Sequence, residues 1–286
     1  MRNMFTHPNN KIATLLISFS GGRTSAFMTK FILEHPKYKH FKKVIVFANT
    51  GKEREETLDF INECDIRWDL NVVWIEPVVN PQMGVGTSFR VVNYETANRD
   101  GQPFETAISK YGIPNIARPY CTRELKLVPI KKYMQSLGLK KWVSAIGIRY
   151  DERHRINPVT SRKENKIYPL AQDLKCNKTF IRNWWKNQDF DLKLKDYEGN
   201  CDLCYKKSER KLLTIAKEQP QLVEWWDHME TKYEGGEYSF FRNHTTAKEL
   251  AKKAYSTDFI EATDEFNDLP FNPILDMEFD CMCKAS

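Results

Sequence analysis

Two short stretches of this 286-residue chain carry residue types whose spacing suits chemistry. The first is Ser20-Gly21-Gly22-Arg23-Thr24-Ser25, between the apolar run Leu15-Leu16-Ile17 and the apolar start of a helix at Ala26-Phe27-Met28. Two glycines there let the main chain turn tightly and bring its N–H groups up to an anion with no Cβ in the way. The following helix adds unsatisfied N–H groups and the positive end of its dipole. Ser20, Thr24 and Ser25 supply hydroxyl donors and Arg23 a fixed charge, so the stretch reads as a phosphate loop. The alternative is an ordinary strand–turn–helix junction capped by Ser or Thr. Hydroxyls on both sides of the glycines weigh against it. The G-x-x-x-x-G-K-[ST] spacing of a Walker loop is absent.

The second stretch is Cys201-Asp202-Leu203-Cys204, followed by Lys206 and Lys207. Two thiolates at this spacing can reach one metal, and the adjacent lysines would lower the thiol pKa and offset thiolate charge. The motif alone allows zinc, iron–sulfur or a redox disulfide, and two ligands cannot close a tetrahedral or cubane site. The chain has seven cysteines; an odd number without a signal region argues against a secreted disulfide framework. A third group, Arg149, Arg153 and Arg155, follows a strand within seven positions, with Asp151 and Glu152 between. Guanidinium groups give bidentate contacts to phosphate or sulfate; a surface salt-bridge loop is the bland alternative. Arg123 and Lys126, one helical turn apart, are expected to face the same anion.

These groups need a frame. The segments 13–19, 43–49, 71–76 and 142–148 read as short buried strands, with helices at about 24–35, 54–67 and 126–137 between them. Alternation at this spacing predicts an α/β fold, a mainly parallel sheet covered by helices on both faces. Ligands of such sheets bind beyond the carboxyl ends of the strands, where each of these motifs falls. Segment 77–120 has mixed signals and is expected to be a long loop with local structure. After about residue 170 the strand signal fades and helices are expected at 178–188, 205–230 and 245–255. The expected organisation is a nucleotide-binding α/β domain over 1–170 and a mainly helical region over 171–286 carrying the cysteines and an acidic tail. Trp184-Trp185 and Trp225-Trp226 read as core, and Cys64 and Cys176 as structural.

Net charge is +6, unevenly spread. Residues 258–286 hold eight acidic residues and one base, leaving 43 basic against 30 acidic residues before them. A basic body suits a phosphate-bearing partner, a nucleotide or a nucleic acid. No run of 18 apolar residues exists and "MRNMFTHPNNK" lacks an apolar signal region, so the expectation is a soluble, cytoplasmic protein without a membrane partner.

"SFSGGRTSAFM" resembles the SGG-x-[DTS]-S loop of the adenine nucleotide alpha-hydrolase superfamily, which includes phosphoadenosine phosphosulfate reductases, ATP sulfurylase small subunits and N-type ATP pyrophosphatases. Three further stretches are similar to the reductase-like branch: "FANTGKEREETLDFI" (47–61), "YCTRELKLVPIKKYM" (120–134) and "AIGIRYDERHR" (145–155). The resemblance implies a first loop that binds phosphates and a second turn, Asn49-Thr50-Gly51, near the adenosine. ATP or an adenylyl sulfate would be the nucleotide, with magnesium as an accompanying ion. It also implies a cluster cysteine at Cys121 beside Cys201 and Cys204. The fourth ligand is then expected to be Cys281, or Cys283, with Cys176 less favoured. The branch tilts the metal from zinc to a 4Fe-4S iron–sulfur cluster. Two departures stand out. Thr24 occupies the place of an aspartate in many pyrophosphatases, and the reductases' nucleophilic C-terminal tail has only a loose echo in "EFDCMCKAS".

The resulting expectation is an adenine-nucleotide-binding enzyme acting at the α-phosphate or an attached sulfate, in sulfur transfer, reduction or substrate adenylation. An electron or sulfur donor protein is an expected partner, and nucleic acid a further one. The alternative is a nucleotide- and cluster-binding regulator, or DNA-associated protein, without turnover.

Overall fold

The computed structural model describes residues 13–233, 241–242 and 245–264. Six strands form one sheet: β1 (Thr14–Ser18), β2 (Lys42–Ala48), β3 (Val73–Val78), β4 (Ser88–Val92), β5 (Val143–Ala145) and β6 (Lys166–Ile167), in the order β4-β3-β2-β1-β5-β6. All pairings are parallel except β3 with β4. β1 reads as an unbroken apolar run because both of its faces are covered. Leu15 and Ile17 join one core with Phe27, Met28 and Ile61; Leu16 joins another with Val46, Ile75, Ile130 and Met134. The first of these cores is closed by α1 (Arg23–Glu34), α2 (Glu55–Trp68) and α6 (Lys178–Lys186), the second by α4 (Val128–Ser136).

The chain winds outward from β1 to β4 on one side, then returns to place β5 and β6 on the other side of β1. That reversal makes the carboxyl end of β1 the topological switch point, where the connecting loops diverge and leave a crevice. The Ser20–Ser25 stretch lies there.

Segment 77–120 contains two elements that its mixed sequence signal hides: β4, and α3 (Gln102–Tyr111). β4 pairs along its length with β3, with Arg90 opposite Glu76. The single helix expected over 205–230 is two, α7 (Glu209–Glu218) and α8 (Gln221–Lys232), parted at Gln219-Pro220 because proline cannot continue the first. A short helix, α5 (Pro158–Lys163), precedes β6, and α9 (Ala247–Ser256) is the last helix among the described residues.

The cores do not follow a boundary at residue 170. Leu170, Ile181, Trp185, Leu192 and Leu194 share the core of the sheet, while α7, α8 and α9 pack on Phe104, Ile108 and Leu125 from the first half of the chain. Trp185 and Trp226 are buried within these two cores, and Cys64 and Cys176 are buried as well. Among the described residues no helix is long and apolar enough to cross a membrane.

In the helical layer, buried Glu230 of α8 accepts hydrogen bonds from the N–H groups of Phe241 (2.6 Å) and Ala247 (2.7 Å), the latter the first residue of α9. Burial pushes its carboxyl up from 4.5 to about 7, against the lowering pull of those two donors. A raised carboxyl pKa means that the folded state holds the proton more tightly, so this contribution to stability declines as pH rises through that window. In urea titrations the stability of the protein relative to its Glu230→Gln variant should therefore fall between pH 4.5 and about 7 and level off above. A difference independent of pH would contradict this.

Candidate functional site

The loop after β1 is shaped by its own glycines. Gly21 has φ +79°, and a Cβ there would lie 2.5 Å from Thr57 Cγ2 and 2.7 Å from Ile61 Cδ1, so only glycine lets the turn sit down on α2. Gly22 is the N-cap of α1, and no side chain caps that end. The first N–H groups of an α-helix have no partner within the helix. Ser25 instead braces the loop: its hydroxyl donates to the Gly22 carbonyl (2.9 Å) and accepts from the Ser20 N–H (3.2 Å) and hydroxyl (3.1 Å). From the second half of the chain, Asn200 donates to the Ser20 carbonyl at 2.6 Å and Trp185 to the Arg23 carbonyl at 3.0 Å. The uncapped helix end is thus held open by residues outside it.

This loop forms part of a cavity of about 660 Å³. Its lining includes Ser20, Gly22, Arg23, Thr24, Ser25, Thr50, Arg149 and Arg155, and also Cys121, Cys201 and Cys204. Eleven Lys and Arg residues line it against three carboxylates, Glu152, Asp196 and Glu198. The lining thus carries an excess of cations, several of them paired with carboxylates behind it.

Some expected site residues have other work. Arg23 lines the cavity, but its guanidinium is committed to Asp191 (2.7 Å) and to the carbonyls of Leu192 (2.5 Å) and Leu194 (3.1 Å); it fastens the 191–196 segment to the loop. Gly21 is packed against α2 and does not line the cavity. Asn49, fully buried, donates to Glu76 (2.7 Å) and to the Asn98 carbonyl (2.8 Å), and with Gly51 shapes the second turn from behind. Arg153 is exposed, with its guanidinium over the ring of Tyr150 at 4.5 Å. Arg149 is placed as expected: it reaches Thr24 Oγ1 at 3.2 Å and is held by Asp151 (3.1 Å) and Glu152 (3.2 Å). Arg123 and Lys126 part company. A π-helical stretch, Thr122–Leu127, shifts the register; Arg123 is exposed beside Glu124, while Lys126 enters the cavity.

The cysteines reach the cavity through a seam between the second turn and the C-x-x-C motif. Arg54 N–H donates to the Asn200 carbonyl (2.7 Å), and Asp202 N–H to the Lys52 carbonyl (3.0 Å). Lys126 then bridges Glu53 (3.0 Å) and the Cys201 sulfur (3.8 Å). Cys201 is half-buried as a residue, but its thiol is packed densely enough for burial to push it well above the usual range; Lys126 pulls it down, and Glu53, Cys204 and Cys121 push it further up. Cys121 lies 3.6 Å from the Tyr205 hydroxyl. All three of these cysteines line the cavity. Among the described residues no three His, Cys, Asp or Glu side chains are arranged to hold a metal ion, and Cys281 and Cys283 lie outside the described residues.

Sequence reasoning missed much of the basic wall. Lys166, Lys178, Arg182, Lys195 and Lys211 line the cavity from scattered positions with no local signal. Burial lowers the Lys178 pKa; Asp196 opposes this, and Lys211 and Arg149 add to it. Asp196 in turn lies within ion-pair distance of Arg23 (3.7 Å), Lys178 (3.3 Å) and Arg182 (3.2 Å).

Residues 14–172 match the phosphoadenosine phosphosulfate reductase domain family. The chain is similar to the uncharacterized nin region protein ORF290 of Escherichia phage lambda, 34% identical over 211 residues that cover 72% of this chain and 71% of that protein. It is also similar to two uncharacterized proteins of Methanocaldococcus jannaschii, 25% and 22% identical over 85% and 77% of this chain. It spans about half the length of these two, 54% and 42%.

The charges around Cys201 give a signed test. Replacing Lys126 with Met removes the cation that favours the thiolate, so alkylation of Cys201 should slow. Glu53→Gln removes an opposing charge and should speed it. Peptide mapping after timed iodoacetamide labelling reads both, and changes in the same direction would contradict the arrangement.

Proposed function

Because the chain belongs to the phosphoadenosine phosphosulfate reductase domain family, we propose that it is an enzyme that holds an adenine nucleotide in the cavity at the switch point and acts at its α-phosphate or an attached sulfate. One observation carries this reading: the uncapped start of α1 faces a basic cavity, with Arg149 anchored beside it on Thr24. Main-chain N–H groups of the Gly22–Ser25 turn would take non-bridging oxygens, and the dipole of α1 would stabilise charge that grows on them. Arg149 would add a fixed cation, already oriented by Asp151 and Glu152. Lys126 lies on the same lining, paired with Glu53.

The reaction is sulfur transfer, sulfonucleotide reduction or adenylation of a second substrate. In the sulfonucleotide version a thiolate attacks sulfur and releases the adenosine phosphate. The enclosed Cys201 is a poor candidate for that thiolate, since a thiol pushed up by burial stays protonated at neutral pH. Metal ligation is the role left to it in this reading, because a metal deprotonates the thiol it binds. We propose Cys121, Cys201 and Cys204 as three ligands of a 4Fe-4S cluster, with zinc as the alternative metal and Cys281 or Cys283 as the fourth ligand. Such a cluster would supply charge and redox capacity next to the nucleotide. An electron or sulfur donor protein would complete the reduction, and magnesium would accompany ATP.

Anaerobic purification followed by iron, zinc and acid-labile sulfide analysis tests the metal. Incubation with ATP or adenylyl sulfates and a dithiol, with product identification, tests the reaction. Gly22 has an ordinary φ of −95° and a Cβ there would meet only the Asn200 side chain, with Oδ1 at 3.3 Å and Nδ2 at 3.4 Å. Gly22→Leu should therefore fold, yet lose nucleotide binding by at least about tenfold, the worth of one or two charge-assisted hydrogen bonds. Unchanged affinity would remove the loop from the site. Tight nucleotide binding without product, joined to salt-sensitive DNA affinity, would favour the regulator over the enzyme.

A further inference from the structure

The turn after β5 presents three faces, and only one of them lines the cavity. Tyr150–Arg155 forms a 3-10 helix with Arg149 as its N-cap. Side chains three positions apart eclipse one another in such a helix. Arg149, Glu152 and Arg155 accordingly share a face. They line the cavity, and Glu152 is ion-paired to Arg149 (3.2 Å) and to Arg155 (2.6 Å). Tyr150 and Arg153 share the next face, outside that lining. Tyr150 is 40% exposed, Arg153 is exposed, and the guanidinium lies 4.5 Å from the ring centroid. The carboxylates of this part of the chain are already engaged. Residues 149–178 hold eight Lys and Arg against four Asp and Glu. Asp151 pairs with Arg149, Glu152 with Arg149 and Arg155, Glu164 with Lys166, and Asp173 with Lys37. Arg153, Arg162, Lys163 and Lys175 are left exposed, and among the described residues none of these four has an ion-pair partner. Lys175 stands next to the stacked pair, because the Tyr150 N–H donates to the Cys176 carbonyl at 2.9 Å.

We propose that this outer face is a docking surface for single-stranded nucleic acid, with a base stacked on the Tyr150–Arg153 pair and neighbouring phosphates on Lys175 and the other exposed cations. Every base offers a π-face to an aromatic ring or a guanidinium plane, and exposed cations attract the backbone whatever its sequence. An acidic protein surface would use the cations and leave the ring idle. A membrane would need a broad apolar face, whereas Tyr150 is followed in this turn by Asp151, Glu152, Arg153, His154 and Arg155. A duplex keeps its bases stacked on one another and offers none to the ring. The surface goes beyond the nucleotide reading and does not require it: the inner face of the turn belongs to the cavity, and the outer face takes the strand.

The test uses the full chain and the fluorescence anisotropy of a labelled oligothymidylate of about 12 nucleotides, with the matching oligouridylate as second probe and ATP affinity measured alongside. The oligonucleotide should bind, and the logarithm of its affinity should fall linearly with the logarithm of salt concentration. Tyr150→Leu should weaken binding about tenfold, the loss of one stacked base, and Tyr150→Phe should restore it. Lys175→Gln should leave the stack in place and reduce the salt slope by about 0.7. ATP affinity should be the same in every variant. Should Tyr150→Leu fail to fold, judged by its urea midpoint, Arg153→Gln gives the same readout from the other half of the stack. Oligonucleotide binding that is absent, or indifferent to the ring, overturns the proposal. Equal affinity for a blunt duplex or for polyglutamate overturns it too, since neither presents a free base. So does a loss of ATP affinity that matches the loss of oligonucleotide affinity, which would place Tyr150 in the nucleotide site. If ATP fails to bind the unaltered chain while oligonucleotide binding still depends on Tyr150, the nucleotide reading falls and the surface stands. The tighter of the two single strands identifies DNA or RNA as the source.

Discussion

Main-chain pairing between residues 52–54 and 200–202 is the constraint on which the arrangement depends. It is a two-bond seam with an antiparallel bridge between Glu53 and Cys201, and ion pairs flank it: Lys52 with Asp202 at 2.5 Å and Arg54 with Glu198 at 3.1 Å. Asp202 is buried deeply enough that desolvation raises its carboxyl pKa, against the lowering effect of Lys52. The Lys52 ammonium also lies 4.3 Å over the ring of Trp225. Removing one partner of such a pair strands a buried charge, at a cost of about 3–5 kcal/mol. Through this seam a segment 148 positions along the chain becomes a wall of the crevice at the end of β1.

A second layer of polar contacts fixes the turns without facing the cavity. Glu76, fully buried in β3, accepts from Asn49 on one oxygen and from Arg90 of β4 on the other, and also takes the Asn98 N–H at 2.6 Å. On the lining itself, Asp196 draws Arg23, Lys178 and Arg182 together. One network thus fixes the turn behind the cavity and the other fixes cations on its lining.

The parts of this architecture that are legible in the sequence are those decided locally. β1, β2 and β3 read as apolar runs because both faces of the sheet are covered, and Gly21 announces its turn because φ +79° and the close approach of Thr57 leave no room for a side chain. α3 hides behind Gly101 and Pro103, which read as loop but cap and start the helix. Cations are the least legible. Arg23 looks like an anion ligand until Asp191, 168 positions away, is placed against it. Arg153 and Lys126 look alike in sequence, yet one stacks on Tyr150 in the open and the other enters the cavity. Lys206 reads as a modulator of its neighbouring thiols; its burial beside the ring of Tyr205 exists only in three dimensions. What a charged side chain pairs with depends on the whole fold, and local spacing cannot report it.

The two hydrogen bonds of the seam run from backbone to backbone and so ask nothing of the side chains at Asn200, Cys201 or Lys52 themselves. A substitution at Cys201 can therefore change what the wall presents while this main-chain pairing stays. Outline and lining are thus separable at Cys201, whereas Lys52 and Asn200 also hold the wall through their side chains, on Asp202 and on the Ser20 carbonyl.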